Sequence, residues 1–370
     1  MDDNNKEVRG DIPLVYVGTY TGTGSEGIYI CRLDLATGAL EPIGVAGNVE
    51  NPSYLAIDAQ RLRLYAVNEV GDFNGQPGGS VSAYAIGARS GELSFINRVY
   101  SHGGAPCYLK LGYEGRSLYV VNYSGGNVVT FPIHEDGAIG EALDIATHSG
   151  SSRHPERQDG PHPHSVVLDP ANNFAFVPDL GLDKVMQYRV DRRSGRLEAN
   201  QPPWVGVEPG SGPRHMIFHP NARYAYVINE LSSTVSACTY DPQDGVLRIF
   251  QTLSTLPEGF NGENTAADIH LTPDGTFLMG SNRGHDSIAC YAVDRETGAL
   301  TTADFIHTQG QTPRGFAIDP SGTFVLVANQ DSDTLVTFRI DEDKRTIVPT
   351  GHTVEIPNPV CVKIARFGHS

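Results

Sequence analysis

The chain has 370 residues, 43 acidic and 27 basic, for a formal net charge of −16. That balance excludes a phosphate-backbone partner such as DNA or RNA and argues against anionic membranes. No apolar run approaches the ~18 residues of a membrane span, so a diffusing protein with a small-molecule partner is expected.

The first segment, MDDNNKEVRGDI over 1–12, is polar and carries no apolar signal-peptide core. It reads as a tail ahead of one domain over 13–370. LVYVGTY (14–20), IYICRLD (28–34) and GAL (38–40) then supply three strands of a blade that lacks its first strand. From Pro52 a repeat sets in. Its copies begin PSYLAI, PCYLKL (Pro106), PHSVVL (Pro163), PRHMIF (Pro213), AADIHL (Ala266), PRGFAI (Pro313) and PVCVKI (Pro359), at spacings of 46 to 57 residues.

Each copy reads as an inner strand A, a turn, strand B, strand C, a glycine turn and strand D. Asp-Pro and Asp-Gly pairs mark the A–B turns, as in DPANN (169–173) and DPSGT (319–323). Strand B recurs as LYAVN (64–68), LYVVN (118–122), YAYVIN (224–229) and FVLVAN (324–329). GEL (91–93), GAI (137–139) and GAL (298–300) open strand D, whereas the last copy, EDKRTI, lacks that glycine. The final segment at Pro359 offers a strand A and nothing after it.

A period of this length with strand patterning throughout predicts an all-β, seven-bladed β-propeller. The N- and C-terminal strands would share one blade and close the ring, which removes the open sheet edges of an unclosed array. Residues 359–364 should pair beside 14–18.

A propeller brings equivalent positions of all repeats to one mouth. The start of A and the end of B lie on the same face. After the repeat proline stand Ser53, Cys107, His164, Arg214, Ala267, Arg314 and Val360; just past strand B stand Tyr20, Glu69, Tyr123, Asp179, Glu230, Arg283 and Gln330. Three Arg and a His beside carboxylates, in an acidic chain, point to an anionic small ligand. The competing reading is a salt-bridged rim that ties blades together. Asp58, Asp169 and Asp319, at the A–B turns, belong to the opposite face and read as turn residues.

The strings DGPHPHSVVLDP, GPRHMIFHP, YVINE, SNRGHDSIACY and TPRGFAIDP resemble the seven-bladed lactonase family. That family includes propeller-type 6-phosphogluconolactonases and the fungal carboxymuconate cyclase. The resemblance runs from about Pro13 to Ile364. It implies a catalytic set of His164, Glu230, Arg214 and Arg283, with Arg314 as an addition; Arg314 and, from their places on the rim, Glu69 and Asp179 are the substrate-binding candidates. It implies hydrolysis of a sugar δ-lactone, foremost 6-phosphogluconolactone in pentose phosphate metabolism. The enzyme rival is a carboxymuconate cycloisomerase, and the non-enzyme rival is a binding scaffold.

One of His164 and Glu230 would serve as general base, and the reference pKa of imidazole favours His164. Arg214 and Arg283 would bind the substrate anion or the tetrahedral oxyanion. Glu230 beside two Arg should stay ionised, leaving His164 to give a rising rate through one ionisation between about 6 and 7.5.

No cofactor and no metal are expected. His162-Pro163-His164, with His154 nearby, lacks a chelating third ligand, and no nucleophile-elbow serine appears. Cys31, Cys107, Cys238, Cys290 and Cys361 form no Cys-x-x-Cys pair and read as reduced thiols of a cytoplasmic protein. The polar segment 146–162 reads either as a lid or substrate contact or as a plain exposed connection.

Overall fold

The computed structural model describes residues 13–22 and 24–367. The tail expected over 1–12 lies outside them. Seven four-stranded antiparallel sheets are arranged as the blades of a propeller, each with A innermost and D outermost. A two-stranded hairpin, Asp72–Phe73 with Gln76–Pro77, is added in one B–C connection.

Strand B is the structural centre of each blade. Leu14–Thr19, Ser117–Asn122, Tyr224–Asn229 and Phe324–Asn329 are buried at all six positions. A strand covered on both faces reads as a continuous apolar run, as these do. Strand D instead alternates, exposed on one face, as in Thr346–Glu355.

The core comprises seven apolar clusters, one in each gap between neighbouring blades. In the gap beside the terminal blade, Leu14, Tyr16 and Ile28 pack on Leu55 and Leu64 of the next blade. The glycine turns serve the same joints. Tyr16, Tyr65 and Tyr226 on strand B each donate a hydroxyl hydrogen bond to Gly91, Gly137 and Gly298 of the adjoining blade. Gly91 has a φ of +76°, and an added Cβ would come within 2.2 Å of Leu14. Glycine is thus required there both for its backbone conformation and for the closeness of the next blade. In the copy lacking this glycine, Arg345 takes the left-handed conformation, at a φ of 53°.

The ring closes at the chain ends. Pro359–Ala365 pairs with Leu14–Thr19, from Leu14 opposite Ala365 to Thr19 opposite Pro359. The turn aspartates on the far face do turn work: Asp169 accepts from the amides of Asn173 and Phe174, and Asp319 from Thr323 and Phe324.

Two departures from simple alternation matter for the site. Strand A does not begin at the repeat proline in every blade. In the blade of His164 it shrinks to Val167–Leu168, with an isolated bridge from Pro163 to Asp179. Five other blades carry a register shift beside the repeat proline or its Ala266 counterpart: Pro106/Tyr108, Pro213/His215, Ala266/Ile269, Pro313/Gly315 and, opposite Val360, Gly18/Thr19. A bulge of this kind re-aims side chains. Consecutive residues, Arg214 with His215 and Val360 with Cys361, accordingly line the same cavity.

Candidate active site

The mouth opens into a cavity of about 320 Å³ bordered by Glu69, Cys107, Tyr123, Arg157, His164, Glu230, Thr265, Arg283 and Arg314. A narrower space continues inward past Arg214 to His215 and Asp268. His164, Arg214, Glu230, Arg283, Arg314 and Glu69 therefore meet, as expected from their positions in the repeat.

Glu230 is the hub. Its Oε2 accepts from Arg214 Nε at 2.9 Å and lies 3.0 Å from Arg283 Nη2, while Oε1 accepts from Arg157 Nη2 at 2.7 Å. The carboxylate side chain is 4% exposed. Burial alone would favour its neutral form, but Arg283, Arg214, His164 and Arg157 overcome that and hold its pKa well below the usual carboxylate range. Such a group anchors cations and is a very weak base.

His164 sits at the base of the cavity, and its amide donates to Pro178 O at 2.9 Å. Its Nδ1 is 3.7 Å from Cys107 Sγ. Nε2 has no hydrogen-bond partner among the described residues. Burial, reinforced by Arg214 and His215, pushes its pKa well below the ordinary 6.5, and Glu230 opposes this only in part. The expected ionisation between about 6 and 7.5 is therefore displaced downward, because desolvation outweighs the single carboxylate. At neutral pH the imidazole is uncharged and free to accept a proton.

The guanidinium groups descend in order of depth. Side-chain exposure is 37% for Arg157, 13% for Arg283 and 3% for Arg214. Arg283 donates from Nη2 to Ala266 O, while its buried Nε has no partner among the described residues; burial lowers its pKa to about 10. Arg314 lies 5.5 Å over the Tyr20 ring, and its side chain makes no hydrogen bond among the described residues. Glu69 stands opposite, its Oε2 accepting from Ser53 Oγ at 2.5 Å and Tyr20 OH at 3.0 Å.

Asp179 does not join them. Its fully buried carboxylate accepts from the amides of His162 (2.8 Å) and Gly181 (3.0 Å), and its Oδ2 is 2.6 Å from His148 Nδ1. The segment 146–162 folds back over the end of its strand B and, with the amides of Gly181 and Leu182, engages both carboxylate oxygens. Its position in the repeat is right, but the carboxylate is an anchor of that segment.

The same anchoring answers the question of a lid. Gln158 Nε2 donates to Leu180 O, Ser152 Oγ to Asp183, and Arg157 Nη2 to both Tyr123 OH and Glu230. The segment is tied down, and it delivers Arg157 to the mouth. Sequence reasoning missed Arg157, because nothing in the repeat indexes an inserted loop. His162 stacks on Tyr123 at 4.4 Å, and His154 Nδ1 accepts backbone amides. Among the described residues no group of three His, Cys, Asp or Glu side chains is placed to hold a metal ion.

Residues 14–364 match the family model described as "Lactonase, 7-bladed beta-propeller". The chain belongs to the lactonase family of seven-bladed β-propellers. This lactonase is 38% identical over 348 residues to the 6-phosphogluconolactonase of Bacillus subtilis, covering 94% of this chain and 97% of that protein. It is 34% identical over 317 residues to the 6-phosphogluconolactonase of Formosa agariphila, covering 82% and 86%. Among solved structures, the periplasmic gluconolactonase of Pseudomonas aeruginosa superposes with a TM-score of 0.90 at 38% identity, over 96% of this lactonase and 99% of that chain.

Proposed function

We propose that this lactonase hydrolyses 6-phosphogluconolactone to 6-phosphogluconate. The observation that carries the reading is the charge of the mouth. Arg157, Arg214, Arg283 and Arg314, with Lys363 deeper in, face Glu69, Glu230 and the deeper Asp268, a local excess of cations in a chain of net charge −16. An anionic sugar lactone suits that excess. The names borne by the Bacillus and Formosa relatives support the same substrate.

The depth order of the arginines suggests how the substrate lies. Its lactone carbonyl would enter first, toward His164 and Arg214. Its phosphate, at the far end of the sugar, would remain near Arg157 and Arg283. Neutral His164 takes a proton from water through Nε2 as the water oxygen adds to the carbonyl carbon. The negative charge on the former carbonyl oxygen is met by Arg214. When the tetrahedral intermediate collapses, the bond to the ring oxygen breaks and His164 returns the proton to that oxygen. The products are the open hydroxyl and the carboxylic acid, which ionises to solvent. A δ-lactone is an activated ester, so a base of low pKa is adequate.

Glu230 holds three guanidinium groups in register throughout and exchanges no proton. Glu69 and Arg314 would receive sugar hydroxyls and charge on the opposite wall. The net charge of −16 supports a small-molecule partner, with neither nucleic acid nor membrane involved. The five thiols, all buried and unpaired, support a cytoplasmic working place. The Pseudomonas relative is described as periplasmic, so cell fractionation is the check.

The deciding experiment compares turnover of 6-phosphogluconolactone and glucono-δ-lactone over their spontaneous rates. A preference for the phosphorylated lactone is expected. Equal or better turnover of the neutral lactone would overturn the phosphate assignment, and turnover of neither would overturn the lactonase mechanism.

A further inference from the structure

Beneath the mouth lies a buried polar chain that the mechanism above does not use. Asp268 is 7% exposed and His215 is 6% exposed. Asp268 Oδ1 is 2.8 Å from His215 Nδ1 and accepts from the amide of Ile269. Its Oδ2 accepts from the amide of Phe316 and lies 3.1 Å from His270 Nε2. Four donors converge on this carboxylate, which keeps it ionised, so it can only accept.

The tautomer of His215 follows from its two neighbours. Nδ1 faces a carboxylate and must carry the proton. Arg214 Nη1, which only donates, rests against the ring, 3.2 Å from Nε2 and 3.5 Å from Nδ1, and offers Nε2 no acceptor. Nε2 is therefore the bare acceptor. Burial and Arg214 lower the imidazole pKa to about 4, in keeping with a neutral ring. The rings of Tyr108 and Tyr54 pack edge-on against it, with centroids at 5.3 and 6.0 Å, and fix its plane.

Counting donors on Arg214 shows what this achieves. Nε is taken by Glu230. Nη1 donates to Ala267 O at 2.6 Å and rests against the His215 ring, 3.2 Å from Nε2 and 3.5 Å from Nδ1. Nη2 has no partner among the described residues, and Arg214 lines the space that also holds His164. Three fixed contacts determine the plane of the guanidinium and leave one amino group for the substrate.

We infer that His215 and Asp268 are positioning residues for lactone hydrolysis: Asp268 sets the His215 tautomer, and His215 holds Arg214 so that its Nη2 meets the developing oxyanion. The inference rests on the proposed hydrolytic role of Arg214. The bulge beside Pro213 makes the arrangement possible, since it turns both Arg214 and His215 toward the axis.

The test has two independent arms. In the first, ¹⁵N–¹H spectra of the imidazoles assign the His215 tautomer. Protonation at Nδ1 in the wild type is expected, and protonation at Nε2 would overturn the inference whatever the activity. In the second, kcat and KM are measured for 6-phosphogluconolactone. Asp268→Asn and His215→Phe should each lower kcat about 10- to 100-fold with KM changed by less than about threefold, as for a catalytic group displaced by a fraction of an ångström. His215→Gln, which can present an acceptor near the Nε2 position, should retain more activity than His215→Phe.

In an Arg214→Ala background, adding His215→Phe should change kcat by less than about twofold, because residues acting through one group are not additive. Wild-type kcat in His215→Phe, or losses that multiply independently of Arg214, would overturn it. If His215→Phe fails to fold, His215→Gln and Asp268→Asn take its place in the same cycle, with the same two outcomes. Absence of wild-type turnover would instead count against the lactonase mechanism, leaving the tautomer arm to judge the pair.

Discussion

Arg214 Nε lies 2.9 Å from Glu230 Oε2, and both side chains are at least 96% buried. One is the second residue of a strand A, the other follows the adjoining strand B of the same blade. Their pairing converts the carboxylate that most resembles a general base into a cation anchor.

Glu230→Gln should therefore lower the plateau rate about 100-fold or more and keep the pH step, its midpoint moved to lower pH because the carboxylate is the group that raises the His164 pKa. It should also cost about 3–5 kcal/mol of stability, the usual penalty for leaving buried charges without their partner. Urea titration and a pH–rate series check both. Disappearance of the pH step with wild-type stability would make Glu230 the base after all.

The His164 pKa is depressed, so the catalytic imidazole is already neutral at pH 6.5. The rate above the spontaneous background should be flat between pH 6 and 8 and fall only in more acid solution. His164→Ala should remove most of the rate at every pH. A midpoint between 6 and 7.5 in the wild type would show that desolvation is weaker than the geometry indicates.

Stability should follow the same groups. His164 and His215 have native pKa values below 6.5, the latter about 4, so the unfolded chain binds more protons in that window. Stability is then full above about pH 6.5 and declines as pH falls toward 4. Below that, Glu230 and Asp268, whose native pKa values are also depressed, extend the loss in the same direction. Melting temperatures across pH 4–8 test this, and a wild-type Tm that rises on acidification from 6.5 contradicts it.

Arg157 is the outermost guanidinium, and only its Nη2 is engaged. Arg157→Ala should reduce kcat/KM for the phosphorylated lactone about 10- to 100-fold, with a smaller effect on glucono-δ-lactone. Arg157→Lys should rescue in part, since a lone ammonium lacks the planar fork. Equal losses on both lactones would assign Arg157 to Glu230 alone.

Arg283→Ala and Arg214→Ala should each lower turnover by about two orders of magnitude or more. Chelation with EDTA should leave the wild-type rate unchanged, given the lack of a converging ligand trio among the described residues. Loss of activity on chelation, restored by one divalent metal, would require a different mechanism.

The ring was legible because its cause is local and repeated. Alternating apolar residues, the repeat proline and the turn aspartates recur around the ring, and closure needs only the unpaired strands at 14–19 and 359–365. Position within the repeat likewise brought His164, Arg214, Glu230, Arg283, Arg314 and Glu69 to one mouth. The same rule misassigned Asp179, because an index along a strand does not reveal that a connecting segment returns to occupy the carboxylate. It was silent on Arg157, which belongs to that segment. It also hid His215 behind Arg214, since strict alternation turns neighbours to opposite faces and only a bulge turns both inward. The sequence by itself determined how many blades there are and which face carries the charge, since those follow from period and turn chemistry. Which charges are already paired, which imidazole stays neutral and which arginine is left with a free amino group were decided by burial and by contacts between residues far apart in the chain, such as Arg157 and Glu230, 73 positions apart.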